Sequence, residues 1–502
     1  MSKRAAPRKE THESPPELGQ ALSLIRERPD LVSRVVAWLL LVVYAWNVWV
    51  TTWAHEPWRD EAQAWLYARD AGLAELFYDL RFEAHPALWY LMLLPFAKAG
   101  FSFDAMRLLH YGVVLGVMAL FLFRAPLPMW LKAASAFSFY FFWQYAMEMR
   151  VYAIGFLLMF AVAWLYERRF DHPFRYAVLV FLLSNTNVHM VLVGAALVGA
   201  YALELLLART AEPRKWAAVG VMALGVLLCL VQVGLIGGGT THRYVYNFNE
   251  VHKYVVGAFF AMLSPGDFLI PAGWLFLALT LLPFASRPIS LLIVTSILVA
   301  NFVIALYKGS GLRHYGVVPL TLMWGYWIAR SEPDRWALPF PKGWSEYGDR
   351  LRIACLVLGI SAVICLPVAF QLHDLDRRLD FSGTARMADY LKRNGLLDKP
   401  IAVHRYWHLS SLPLYLPGAT FWNVALDRRV TFVRQDHATV EAHQMPYDRA
   451  ILRAMQAVPP PQPLYLLLDA PLDLSKAGFE MVYKVDQTVF GSDERCYLYR
   501  RR

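Results

Sequence analysis

The chain has 502 residues, of which 57% are hydrophobic and only 18% charged, and a formal net charge of +10. A soluble domain is near a quarter charged, so this composition excludes a soluble enzyme and describes a polytopic membrane protein. The positive balance does not point to nucleic acid either, because the basic residues cluster in short loops between apolar runs, the positive-inside pattern.

Residues 1–30 are polar, with Pro15-Pro16 and several Lys and Arg. They lack the short apolar core and cleavage site of a signal peptide and read as a partly disordered cytoplasmic tail. Apolar runs follow at about 31–53, 107–123, 128–147, 151–166, 174–190, 191–208, 216–236, 269–285, 288–307, 314–329 and 351–370. The run 86–103 is also apolar, and its status decides the topology. If it lies in the interface, every strongly basic loop falls on one side with the N-terminal tail, from Arg124 and Lys132 through Arg330–Arg352. That choice satisfies the charge rule throughout. It gives about eleven spans plus interfacial helices over 31–371, with a first outward loop at 54–106, the N-terminus inside and the C-terminus outside.

Residues 372–502 read as a separate extracytoplasmic domain. A helical pattern covers 383–394 and another 448–458. Strand-like runs lie at 400–404, 463–468, 480–485 and 495–499. Helices alternating with strands predict an α/β domain. The four cysteines (Cys229, Cys355, Cys365, Cys496) show neither a disulfide framework nor zinc spacing and read as small core residues.

Chemistry concentrates in the outward loops. The first holds Asp60, Glu61, Asp70, Glu75, Asp79 and Glu83. Asp70, Glu75 and Asp79 read as solvated. Asp60 differs, because Trp53, Trp58 and Trp65 anchor its segment at headgroup depth. A partly desolvated carboxylate held there can take a proton from a hydroxyl. Arg150, Arg243, Lys253 and Arg313 are positive charges on the side the rule leaves poor in them. Guanidinium groups at a bundle mouth suit a phosphate; the alternative is snorkelling to headgroups, the favoured reading for Lys253. Asn185, Asn187 and His189 could line a sugar pocket or form an interfacial turn. His404 and His408 lie in a strand-like stretch and read as surface residues.

Four pieces in order carry a resemblance: Asp60-Glu61, Phe82-Glu83-Ala84-His85-Pro86, Arg150 with Tyr152, and Arg313-His314-Tyr315 with Pro319. Over about 35–330 the sequence resembles the GT-C superfamily of membrane glycosyltransferases, nearest to its protein O-mannosyltransferase and lipid A aminoarabinose transferase branch. His85 stands where that branch has Lys, and Ala87 where it has a second Pro. The resemblance implies catalytic roles for Asp60, as general base, and Glu83. It implies substrate-binding roles for Glu61, His85, Arg150, Tyr152, Arg313, His314 and Tyr315, to which the charge reading adds Arg243. The implied activity is inverting transfer of a sugar from a polyprenyl-phosphate donor to a hydroxyl of a lipid, polysaccharide or protein, on the outer face of a bacterial inner membrane. No cofactor is required, and ligand spacing does not support a metal. A polyprenyl-linked glycan flippase and a non-enzymatic assembly protein are the alternatives. The first needs polar residues along the spans, where Glu204 is one of few; the second leaves the loop acids unexplained.

Overall fold

The computed structural model describes residues 29–83, 85–234, 246–261, 266, 268–332, 346–488 and 494–502. The chain is a polytopic α-helical membrane protein with a C-terminal α/β domain. Among the described residues, seven helices are long and apolar enough to cross a membrane by length and composition: Asp30–Ala54, Asp104–Arg124, Val188–Leu207, Pro213–Gln232, Leu269–Ser286, Pro288–Lys308 and Tyr347–Arg378. The first, α1 (Pro29–Ala54), runs 26 residues, about 39 Å at 1.5 Å per residue. Its Trp38, Leu39 and Trp46 stand more than half exposed, as lipid-facing side chains do.

The other four expected runs form shorter helical pieces. Residues 128–147 break into Met129–Ala136, a π-helical turn Phe139–Gln144 and a final turn Tyr145–Met147. At the first break Ser138 is extended and its hydroxyl bonds Ser135 O at 2.7 Å. Helices Val151–Tyr166, Pro173–Ser184 and Val317–Ala329 are likewise short. They lie among long neighbours, so packing rather than length sets their depth.

The first loop folds into α2 (Arg59–Asp70), α3 (Leu73–Glu83) and α4 (Leu88–Lys98) before α5 (Asp104–Arg124) begins. Eleven residues make α4 about 16 Å long, half a bilayer. Its Lys98 ammonium donates to Arg69 O and Ala71 O, each at 2.8 Å. Arg107, in the first turn of α5, donates to His55 O just past α1 at 3.0 Å. These contacts hold the two ends of the loop against one another, and 86–103 folds as a helix too short to match the seven long ones.

The C-terminal domain carries a six-stranded sheet in the order β3-β2-β1-β4-β6-β5. The strands are β1 (Ile401–Val403), β2 (Phe421–Asn423), β3 (Arg428–Val430), β4 (Tyr465–Leu468), β5 (Phe479–Val485) and β6 (Cys496–Arg501). β1 is parallel to β2 and β4, and the outer pairings are antiparallel. Alternation along the strands sends Ile401 and Val403 into one core with Met387 and Leu391. Ala402 and Leu466 enter another with Ile451 and Ala454. The boundary expected at 371–372 falls inside the helix Leu366–Arg378, so the domain hangs from a continuous extension of the last span.

This domain grips the first loop. Val433 N–H donates to Gln63 Oε1 at 3.1 Å, and Gln63 Nε2 donates back to Val433 O. Arg434 pairs with Glu75 and, at 3.4 Å, with Asp79. Asp79 is only 1% exposed. Glu75 and Asp79, expected to be solvated, instead dock the domain. Glu56 accepts from Ser382 N–H (3.0 Å) and Ala385 N–H (2.8 Å), capping the helix Thr384–Arg393.

Candidate active site

Three separate segments meet at the mouth of the bundle. Asp60 sits in the first turn of α2. Arg150 occupies the N-cap of Val151–Tyr166, with extended backbone that turns it away from the helix axis. Arg313 lies on the short helix Leu312–Tyr315. Both guanidinium groups reach the same carboxylate oxygen, Asp60 Oδ2: Arg150 Nη1 at 2.5 Å and Arg313 Nη1 at 3.1 Å. Arg59 Nε lies 3.8 Å from the other oxygen.

The scaffold behind them is hydrogen-bonded through the core. Glu61, 0% exposed, accepts from Met149 N–H at 2.7 Å with Oε1. Its Oε2 takes Trp58 N–H (3.2 Å) and His55 Nε2 (3.1 Å). His55 Nδ1 lies 2.8 Å from Asp376 Oδ2. With a carboxylate on each nitrogen, both nitrogens donate. Burial works against the charge, but Asp376 and Glu61 hold the His55 pKa well above its ordinary value. Glu61 thus fixes the arm carrying Arg150 and does not reach the cavity. This corrects the substrate-binding role expected of it. On the other arm, Tyr145 and Tyr254 hydroxyls donate to Arg313 O and His314 O, each at 2.6 Å. Gly316 follows, where a Cβ would meet Tyr145 Oη at 2.5 Å.

A cavity of about 890 Å³ opens beside the cluster. Asp60, Glu83, His85, Arg150, Tyr152, Arg313 and His314 all line it. Tyr315 does not. It is 1% exposed and packs edge-on to Tyr254 at 5.3 Å, so it is a core residue, against expectation. Arg243 lies outside the described residues. Lys253 pairs with Glu250 at 2.8 Å. Among the described residues no group of three or more His, Cys, Asp or Glu could hold a metal ion.

The electrostatics separate the carboxyls. Burial pushes Asp60 up, but Arg150, Arg313 and Arg59 together hold it well below the usual carboxylate range. Glu83, steadied by Gln63 Nε2 at 3.2 Å, is pushed up to about 7 by burial. Glu148 also rises to about 7 through burial, against the pull of Arg313 and Arg150. His85 Nε2 lies 2.8 Å from Arg150 Nη2. Arginine can only donate, so this imidazole accepts and is neutral. Burial and the two arginines drive its pKa well below the ordinary value. His85 therefore orients Arg150 and brings no charge of its own. His314 Nδ1 likewise accepts, from Gly311 N–H at 3.1 Å, and its ring lies 5.0 Å from that of His189.

Of the lining residues that escaped the sequence reading, two are charged. Lys308 closes the helix Pro288–Lys308 at the cavity. It is a basic residue at the end of an apolar run, the kind of signal that singled out Arg150 and Arg313. Glu148 stands two residues before Arg150 and had no motif to mark it. Asn187 and His189 do line the cavity, while Asn185 turns to Gln232 (2.9 Å) and to main-chain carbonyls.

The chain matches no protein-family model and no curated protein. Among solved structures it is similar to ArnT from Cupriavidus metallidurans in the apo state, at 15% identity, covering 92% of this chain and 97% of that chain, with a TM-score of 0.48. A likeness of that size carries no argument about activity.

Proposed function

We propose that this protein is an inverting membrane glycosyltransferase that takes its sugar from a polyprenyl-phosphate donor on the outer face of a bacterial inner membrane. The observation that supports this reading most is the convergence of Arg150 and Arg313 on one oxygen of Asp60 beside the large cavity. Two arginines on one carboxylate leave unmatched positive charge. A phosphate monoester or diester is the anion whose oxygens the planar forks match.

In the proposed reaction the donor phosphate draws both arginines off Asp60. The freed carboxylate regains basicity and takes the proton of the acceptor hydroxyl. The hydroxyl oxygen bonds to the anomeric carbon as the bond from that carbon to the phosphate oxygen breaks. The electron pair stays on the leaving polyprenyl phosphate, and the arginines stabilise the charge that grows there. Neutral His85 and His314, with His189 and Tyr152, offer hydrogen-bonding edges and an aromatic face to the sugar. Carboxyls whose pKa values are pushed apart, as for Asp60 and Glu83, are a mark of divided acid–base roles.

The test is to incubate purified protein with a panel of polyprenyl-phosphate sugars and membrane acceptors and to measure polyprenyl phosphate released. Release with coupled loss of the sugar from the donor is expected. A flippase would move the donor across vesicles with no release.

A further inference from the structure

Asp60 borders a second cavity of about 280 Å³, lined by Arg59, Gln63, His408, Ser410, Val433 and Gln435 as well. Arg59, Asp60 and Gln435 also line the large cavity, so the Asp60 carboxylate stands between the two spaces. The C-terminal domain supplies His408, Ser410, Val433 and Gln435. Resting on the transfer reading above, we propose that this side cavity is the acceptor site and that it admits the hydroxyl-bearing sugar ring of a glycan.

The lining chemistry selects the ligand. Of seven residues, only Val433 lacks a hydrogen-bonding side chain. Arginine, glutamine, histidine and serine around one carboxylate suit a ring of hydroxyls, each able to donate and accept. An extended peptide is held instead by a free strand edge or by apolar pockets. The cavity offers neither, since the N–H and C=O of Val433 are both taken by Gln63. The volume suits one ring, not a lipid chain.

The walls are fixed from both sides. Arg59 Nη1 lies 2.8 Å from His408 Nδ1, and Arg59 Nε lies 3.6 Å from Glu494. His408 accepts there, which places its proton on Nε2, 3.8 Å from Asp469. An acceptor hydroxyl at the Asp60 edge of this cavity would lie beside an anomeric carbon at the same edge of the large one. The hydroxyl proton passes to Asp60 as the oxygen bonds to that carbon and the bond from the carbon to the donor phosphate breaks.

The experiment adds purified full-length protein and donor to bacterial membranes and follows release of undecaprenyl phosphate, with binding of undecaprenyl phosphate measured separately. Ser410→Trp fills the cavity, and His408→Ala strips one wall. Both should lower release at least about tenfold while phosphate affinity stays within about twofold. Digesting the membranes with protease beforehand should leave release by the unsubstituted protein intact. Unchanged release in either variant, loss of phosphate binding in both, or protease-sensitive release would overturn the proposal, the last by pointing to a protein acceptor. No release by the unsubstituted protein would sink the transfer reading and this assignment with it.

Discussion

The two ends of the helical bundle both hold arginine–carboxylate pairs, and they do so in opposite ways. At the far end Arg169 pairs with Glu204 and lies over the rings of Tyr166 (4.0 Å) and Phe170 (4.5 Å). Glu332 there accepts Ile289 N–H and Ser290 N–H, at 2.9 and 2.8 Å. The space between them is about 190 Å³, and its lining holds two basic side chains, Arg169 and Lys215, and two acids, Glu204 and Glu332. At the near end four basic side chains (Arg59, Arg150, Lys308, Arg313) face three carboxyls across about 890 Å³. Two of those carboxyls, Glu83 and Glu148, have pKa values about 7. One end is balanced in charge around a small space; the other keeps a surplus of positive charge beside a large one. A buried ion pair that is balanced serves the fold, and one that is unbalanced is available to a ligand.

The sharpest way to break this contrast is Asp60→Asn. Removing a general base costs about 10²–10⁴ in rate. Turnover should collapse by that factor while thermal stability and undecaprenyl phosphate binding hold. Near-normal turnover would end the assignment.

At the far end the expectation inverts. Arg169→Met leaves Glu204 buried without its partner, and breaking such a pair costs about 3–5 kcal/mol. Denaturation in detergent should show that loss, with turnover per folded molecule unchanged. Lost turnover in the folded fraction would mean that the two ends are coupled.

Glu83 sharpens the comparison through pH. Its folded pKa of about 7 lies above its ordinary value, so the folded state binds more protons between roughly pH 4.5 and 7. Its contribution is intact below that window, and stability falls as pH rises through it. Glu83→Gln should flatten that fall, by no more than about 3 kcal/mol. An unchanged stability-versus-pH curve would contradict the buried carboxyl.

The smallest effect is the interaction between the arginines. Arg150→Lys and Arg313→Lys each keep a charge but lose the fork. If both serve one phosphate, the double variant should depart from additivity by about 1–2 kcal/mol in kcat/KM. Full additivity would assign them to separate tasks.

Much of this was legible in the sequence because apolar runs and misplaced charges are local signals. Composition gave the class. The run 86–103 was read as non-crossing from charge bookkeeping, and it folds as the short helix Leu88–Lys98, tied back to the end of α2 by Lys98. Arg150 and Arg313 stood out as cations on the wrong side, though nothing local said that they would meet on Asp60. Glu61 was misjudged because its partners, Met149 N–H and His55, are set by tertiary folding. Asp79 was misjudged likewise, since its partner Arg434 lies far along the chain. The edge pair β2 and β3, three residues each, is too short to announce itself by period.

The chain of bonds from Asp376 through His55 and Glu61 to Met149 bears on modularity. Asp376 belongs to the helix leading into the C-terminal domain, and Met149 to the arm that presents Arg150. A truncation at residue 371 would therefore do more than discard a wall of the site. It would strand an imidazolium and a carboxylate in the core without their third member and loosen the arm that aims Arg150. The helical bundle and the C-terminal domain are parts of a single hydrogen-bonded frame around the cavity, and removing one disturbs the other.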